Sequence, residues 1–321
     1  VPESREVFHR LVRVSDGVFN NLRGDQPRKL GLDYEALKEV NPRVVCCSLS
    51  GFGTSGSKAA QPSYDYIIQG LTGLQWITGD PGTPPTKAGI SVIDFASGFA
   101  AAMALLAGVH QAQRTGQGCD LDVSLFDVSV SMMNYLAAWH LNQGYIPEKM
   151  PDSAHPSLVP SQNFPTKDSY IVVMCNKEGF WVRLCQGLGL SELLEDERFK
   201  DFEGRFQHRE VLLPLLKERF RQETTAHWLE HLKGAGVPCG PIRTFSECFS
   251  DPFLKERDMI WELDSPVWGR IKVTGCPVKV AGTSSPQRAA PRLGEDTVTI
   301  LGEMLGYSLE EIEALRQKGA V

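Results

Sequence analysis

The chain predicts an α/β fold with a parallel β-sheet and crossover helices, in a protein large enough for two domains. Three observations carry this. Helix and strand signals alternate at short spacing through the first half of the chain. The run from Arg43 to Ser50 (Arg-Val-Val-Cys-Cys-Ser-Leu-Ser) reads as a continuous apolar strand of the kind buried on both faces. A length of 321 residues supports a well-buried core and more than one domain.

Residues 5–13 place Glu6, Val7, Phe8, Leu11 and Val12 at helical spacing, and residues 17–21 read as a strand and its exit. A helix over 34–40 follows, with Asp33 as its cap and Asn41-Pro42 as its end. An array of this kind that opens on a helix predicts a further strand ahead of Val1, and the absence of an initial Met agrees with an upstream start. After the strand at 43–50 comes Gly51-Phe52-Gly53-Thr54-Ser55-Gly56, a loop to be weighed as a phosphate cradle. It lacks the full dinucleotide fingerprint and the Lys-Ser/Thr ending of a P-loop, so a simple turn explains it as well.

Ile67, Ile68, Leu71 and Leu74 mark a helix over 65–76, and residues 79–85 form an exposed Gly/Pro loop. Residues 87–98 are the stretch around which the rest is arranged. Ile90 to Ile93 reads as the end of a buried strand that delivers Asp94 to the start of a long Ala-rich helix. The small residues Ala96, Ser97 and Gly98 let backbone or ligand approach that carboxylate. Two readings stay open here: Asp94 caps the helix, or it is a nucleophile at the mouth of the sheet.

The helix places Phe95, Phe99, Met103 and Leu106 along one face, with Gly98 and Gly108 permitting close packing, and residues 114–118 are a stop signal. Residues 120–125 alternate as an edge-type strand, and helical spacing resumes through Met132, Met133, Leu136 and Trp139. The Met pair reads as core filler. Residues 145–165 carry Pro147, Pro151, Pro156, Pro160 and Pro165 and read as a linker. Beyond them come a strand at 170–174, a mostly helical stretch to Gly236, and short strands near 259–263 and 271–273. The last helix starts at Ser308 with Glu311 three residues on, a capping box, and its mixed charges read as a solvated face.

A formal net charge of −6 argues against a nucleic-acid surface or a binder of anionic membranes. The apolar stretch 95–109 is too short to span a bilayer. Eight cysteines occur with no C-x-x-C pair, several inside apolar runs, which reads as reduced thiols of an intracellular protein. His227-Trp228-Leu229-Glu230-His231 matches the pattern of inverted zinc proteases. Trp228 and Leu229 read as the buried stripe, which leaves both imidazoles outside, and no third ligand follows, so no metal is expected. The remaining histidines are scattered and support no Ser-His-Asp or Cys-His arrangement, whereas a carboxylate nucleophile stays open.

Several separated segments then match one pattern. Asn41-Pro42-Arg43-Val44-Val45, Ser50-Gly51-Phe52-Gly53, Tyr64-Asp65, Asp94-Phe95-Ala96-Ser97-Gly98 and Arg114-Thr115-Gly116-Gln117-Gly118 resemble the family III coenzyme A transferases. Gly236-Val237-Pro238-Cys239-Gly240-Pro241, Asp251-Pro252 and Pro291-Arg292-Leu293-Gly294 agree. That family holds formyl-CoA, carnitine-CoA and succinyl-CoA-dependent transferases and 2-methylacyl-CoA racemase. The resemblance runs along essentially the whole chain, and its specificity lies in the joint order of modest motifs.

The resemblance implies a Rossmann-like large α/β domain built from both chain ends (residues 1–150 and 271–321). A linker at 151–165 and an inserted smaller α+β domain at 166–270 complete the expectation, with two subunits interlocked as a homodimer. It implies an acyl-CoA and a small carboxylic acid as partners, coenzyme A thioester as substrate with no permanently bound cofactor, and no nucleic acid or membrane. A cytoplasmic location is expected, or the mitochondrial matrix in a eukaryote.

By the same resemblance Asp94 attacks the acyl-CoA thioester. The physics of the stretch fits this, since backbone N–H groups beside small residues can hold the oxyanion as it develops. Tyr64 and Asp65 line the acyl and pantetheine end of the pocket, the alternative being a helix start capped by Asp65. Asn21 and Lys29 fall at the adenosine end of CoA, and Gly51, Phe52 and Gly53 complete the CoA-binding set. The chain departs from the pattern at Asn21-Leu22, Gly24-Asp25 and Lys29, where Lys offers a phosphate a point charge without the bidentate fork of Arg. Racemases carry a His–Asp pair where this chain has Tyr64-Asp65, and Tyr does not replace an imidazole base near neutral pH. A racemase-like enzyme and a non-catalytic CoA-binding subunit are the alternatives. The loops 79–88 and 155–165 are expected to form the acceptor pocket.

Overall fold

A strand buried on both faces must be central, and Val45–Ser50 is the middle of a three-stranded parallel sheet. The structure is a computed structural model that describes residues 1–284 and 286–321 and divides into two compact units. The first unit is Val1–Leu74, Lys87–Gln143 and Asp251–Val321, and the second is Gln75–Thr86 and Gly144–Ser250.

In the first unit, helix α1 (Pro2–Arg13) leads into β1 (Gly17–Asn20), which pairs in parallel with β2 (Val45–Ser50). Helices α2 (Asp65–Leu71) and α3 (Val92–Thr115) follow before β3 (Cys119–Ser124) pairs in parallel on the other side of β2. Parallel neighbours need a crossover rather than a tight turn, and α3 supplies it. Its buried stripe is made of small residues, Ser97, Ala101, Gly108 and Ala112. A Cβ on Gly108 would stand 2.8 Å from Val45 and 3.2 Å from Leu121, so glycine is what lets the helix lie on the sheet there. Val45 opens β2, whereas Ile93, at the other end of α3, packs with Ile68, Leu125, Leu49 and Phe52 near the strand exits. The helix therefore brings its first turn to the C-terminal edge of the sheet, where open α/β sheets bind ligands. It stops at Gly116, whose left-handed φ of 74° ends the helix as the stop signal predicts.

Four expectations for this unit are corrected. Residues 90–93 are not a strand, because α3 has begun by Val92. A four-residue apolar run fits a buried helix start as well as a strand. Gly98 makes no close packing contact. After α4 (Leu125–Met132) and α5 (Asn134–Gln143), Met132 is 47% exposed and fills no core. Finally, α3 as a whole is long and apolar enough to cross a membrane, which residues 95–109 are not. Its small-residue stripe against β2 and β3 makes it the crossover helix of the sheet.

The second unit holds an antiparallel sheet in the order β4 (Ser161–Pro165), β5 (Tyr170–Met174), β6 (Cys239–Pro241). Between β5 and β6 run helices α6 (Glu178–Leu188), α7 (Arg209–Arg221) and α8 (Thr225–Gly234). One core joins sheet and helices, with Phe164, Trp181, Leu188, Leu212, Phe220 and Trp228 buried in it. Residues 161–165, expected in a linker, are thus an edge strand. Phe164 is the residue that anchors it, and edge strands tolerate the proline at its end.

The chain re-enters the first unit at Asp251, ahead of position 271, and forms the hairpin β7 (Ile260–Ser265) and β8 (Gly269–Thr274). The final helix α9 (Leu309–Gln317) carries the predicted capping box, Ser308 with Glu311. It packs back on the start of the chain: Val7, Leu301, Ile312 and Leu315 form a small core, and Lys318 pairs with Glu3 at 2.8 Å.

Candidate active site

Asp94 stands in the first turn of α3 with its side chain exposed. Among the described residues no hydrogen-bond donor is paired with its carboxylate. Partial burial, and then the negative charge of Asp65, push its carboxyl above the usual carboxylate range. Asp94 does not cap α3. The cap comes from α2: Asp65 Oδ2 accepts from the backbone N–H of Ile93 at 2.7 Å and of Asp94 at 3.0 Å. Asp65 Oδ1 accepts from Gln69 Nε2, and Gln69 Oε1 accepts from the Ala88 N–H at 2.9 Å. Asp65 and Gln69 lie one turn apart on α2, the spacing at which a carboxylate and an amide meet on one helix face. Both are sealed from solvent, at 2% and 0% exposure. An anion on the free N–H groups of a helix start stabilises it by about 1–2 kcal/mol.

This bears on two expectations. Asp65, expected beside the pantetheine, is buried beneath the helix that carries Asp94 and faces backbone, not a pocket. The N–H groups of residues 92–95, at the start of α3, are already paired and not open to an oxyanion. Val92 and Phe95 donate to Ile90 O and Ser91 O, and Ile93 and Asp94 donate to Asp65. Tyr64, by contrast, is 77% exposed on extended backbone just ahead of α2.

The loops at the strand exits converge. A Cβ on Gly24 would lie 1.9 Å from Gly53 O, so the chain after β1 passes directly against the loop after β2. Gly53 has φ 89° and donates from its N–H to Ser50 Oγ at 2.9 Å, and the next residue is tied to β3 through Asp122, which accepts from Thr54 N and Oγ1. Gly51 has no room for a side chain, since its Cβ would stand 2.5 Å from that of Ser63. Phe52 packs in the same cluster as Ile93, which places the Gly-rich loop beside the residue preceding Asp94. Asn21 is exposed directly after β1, whose last residue, Asn20, donates to Ser48 Oγ on β2. The structure thus brings Asn21, Gly51, Phe52, Gly53, Tyr64 and Asp94 to one edge of the first unit.

Lys29 is different. Its ammonium pairs with Asp25, which also accepts from Arg23 at 2.6 Å and Gln26 at 2.9 Å. The two cations hold the Asp25 carboxyl far below its ordinary range. A phosphate would meet the net charge of this trio, not a lone Lys29.

In α8 the rings of His227 and His231 stack at 4.1 Å and Trp228 is buried, with His231 Nδ1 hydrogen-bonded to His227 O. Of the two loops expected to form the acceptor pocket, 79–88 borders a cavity of about 270 Å³ in the second unit, lined by Trp76, Thr83, Glu148 and Lys149, and no residue of 155–165 lines it. Lys149 spends its donors on the 79–88 loop, on Thr83 O at 2.8 Å, Thr83 Oγ1 at 3.0 Å, and Pro84 O. Gln69 and its link to Ala88 escaped sequence reasoning. The one signal was its four-residue spacing from Asp65.

Comparisons with known proteins agree with this architecture. Residues 1–297 match CoA-transferase family III. The chain is 33% identical over 321 residues to the succinyl-CoA:glutarate CoA-transferase of Homo sapiens, covering 100% of this chain and 73% of the human protein. It is 32% identical over 304 residues to the succinate–glutarate CoA-transferase of Agrobacterium fabrum, covering 94% and 76% of the two chains. The crystal structure of a CAIB/BAIF family protein from Brucella suis superposes with a TM-score of 0.79 at 33% identity, over 95% of this chain and 79% of that one. Fold and relatives together define an α/β enzyme that transfers coenzyme A, acting on CoA thioesters. The chain belongs to CoA-transferase family III.

Proposed function

We propose that the enzyme moves CoA from an acyl-CoA donor to a free carboxylic acid through covalent intermediates on Asp94. The observation that carries this is an exposed, unpaired carboxylate, made more basic than usual, on the ligand-binding edge of the sheet. A carboxylate is a weak nucleophile, so it must be positioned and partly freed of water to act. Asp94 attacks the thioester carbonyl and CoA leaves as thiolate, giving a mixed anhydride. The thiolate attacks the aspartyl carbonyl of that anhydride, releasing the donor acid and leaving an aspartyl-CoA thioester. The acceptor carboxylate then attacks the thioester, CoA thiolate leaves again, and its attack on the acceptor carbonyl of the second anhydride restores Asp94. With the N–H groups of residues 92–95 already paired, the oxyanion would draw its donors from the segment ahead of α3, from the neighbouring loops or from substrate groups.

The relatives named for succinyl-CoA and glutarate support a dicarboxylate as acceptor, and succinyl-CoA as first donor to try. A second copy of the chain would cover the apolar stripe of α3, where Phe95, Phe99, Met103 and Leu106 all face outward. A reducing compartment, the cytoplasm or the mitochondrial matrix, completes the proposal. Burial pushes the thiols of Cys46, Cys175 and Cys185 up to about 12, so they stay protonated and inert.

Incubation with succinyl-CoA followed by hydroxylamine tests the mechanism. Expected is a hydroxamate on Asp94 by peptide mass spectrometry and, with glutarate added, glutaryl-CoA. Absence of any mark on Asp94 while transfer proceeds would refute the covalent route.

A further inference from the structure

We propose that Asp65 and Gln69 are positioning residues that keep the Asp94 carboxylate unpaired and reactive, an inference that rests on Asp94 being the nucleophile. The start of a helix is an anion site, because its first N–H groups lack partners and its dipole favours negative charge. Asp94 is the third residue of α3, in the first turn, where an acidic side chain is attracted to the N–H groups that lack helical partners. A carboxylate satisfied in that way would be a poorer nucleophile, since its lone pairs would be held by backbone donors. Asp65 takes two of those N–H groups itself and so leaves fewer of them to the Asp94 carboxylate.

The geometry is built for that role. Asp65 Oδ2 takes the N–H groups of Ile93 and Asp94 together, so both donors nearest to Asp94 are used. Gln69 holds the other oxygen and also fixes Ala88, pinning the segment that enters α3 at both of its ends. Neither side chain reaches solvent, so neither can be exchanged for water. Asp65 is the charged group acting on Asp94 from α2. The residues packed there from α4 and β2, Leu125, Phe126 and Leu49, are apolar. Lys58 Nζ lies 5.4 Å from the Phe52 ring and 5.7 Å from that of Phe126, and Lys87 Nζ 4.1 Å from that of Tyr66. With no cation paired to Asp94, the anion of Asp65 also keeps it basic.

The test is the rate of covalent labelling of Asp94 by succinyl-CoA without acceptor, followed against pH in wild type, Asp65→Asn and Gln69→Leu, with thermal melting as the control for folding. Asp65→Asn keeps the shape and removes the charge. Expected is labelling slower by roughly tenfold to a hundredfold, the size of a small misplacement of a reacting group. The acid limb of its pH profile should move to lower pH. Gln69→Leu should shift both quantities in the same direction by less. Wild-type rate and profile in a folded Asp65→Asn enzyme would overturn the inference. If that variant does not fold, wild-type rate and profile in Gln69→Leu overturn it instead. A wild-type enzyme unmarked at Asp94 would overturn the nucleophile assignment and this inference with it, whereas a marked wild type with unchanged variants overturns the inference alone.

Discussion

The two units treat apolar surface and charge in opposite ways. In the second, the large side chains of sheet and helices meet in one core, where Phe164 stacks on Phe220 at 4.7 Å and Trp228 meets Phe220 edge-on at 5.5 Å. In the first, packing is split among three small clusters, and the longest helix turns Phe95, Phe99, Met103 and Leu106 outward. The charges follow the same division. Arg205 in the second unit is fully buried, and it donates to Val159 O and Phe199 O at 3.0 Å each and to Glu178 at 2.7 Å while lying against Trp181 and Phe202. Asp94 in the first unit is exposed and unpaired. A satisfied charge rigidifies a fold, and an unsatisfied one keeps its capacity to react. The second unit is finished by its own side chains; the first leaves a carboxylate and an apolar stripe uncovered.

Substitution at the two charges should separate these roles most widely. Asp94→Asn should lower CoA transfer by about 10³-fold or more in a steady-state assay, with the fold intact. It should also raise the melting temperature at pH 7 by about 1–3 °C. The sign follows from the upward shift of the Asp94 carboxyl: its folded form holds a proton to higher pH than its unfolded form, so the ionised side chain costs stability as pH rises through that window. The gain should therefore disappear on acidification below the ordinary carboxylate range. A variant that loses activity and stability together would break the comparison.

Arg205→Met should leave Val159 O and Phe199 O without donors and cost about 3–5 kcal/mol in urea unfolding. A loss below about 1 kcal/mol would show that the second unit does not depend on its buried charge. Phe99→Glu, on the outward stripe of α3, should weaken self-association by about 2 kcal/mol or more, read by light scattering as a shift toward monomer, with melting of the monomer retained. An unchanged mass would mean that something other than a second copy covers this face. The smallest effect is expected at the chain end: Ser308→Ala removes half of the capping box of α9 and should cost about 1 kcal/mol in thermal melting.

Local signals are legible in the sequence. Ser308 with Glu311 and Gly116 at the end of α3 each act within a few residues, so sequence alone places them. The edge character of β3 was visible as alternation, and the structure puts that strand at the edge of the sheet. Residues 90–93 resemble a strand end in sequence because the group that caps the helix beginning at Val92 is Asp65, on a different helix. Lys29 has Asp25 four residues before it, a spacing at which charges pair, and only the structure adds that Arg23 closes on the same carboxylate. In the same way, residues 161–165 look like linker until Phe164 is seen paired against Ile171 in the core.

By itself the sequence determined the alternation of helices and strands, the motif order that places the chain in its family, and the acidic residue at the head of the Ala-rich helix. Only the tertiary structure decided that Asp65 and not Asp94 would cap that helix, and that Asp94 would be left exposed. Hydrogen bonds and charge pairs act over a few ångströms in space, and the fold alone sets which distant residues come within that reach.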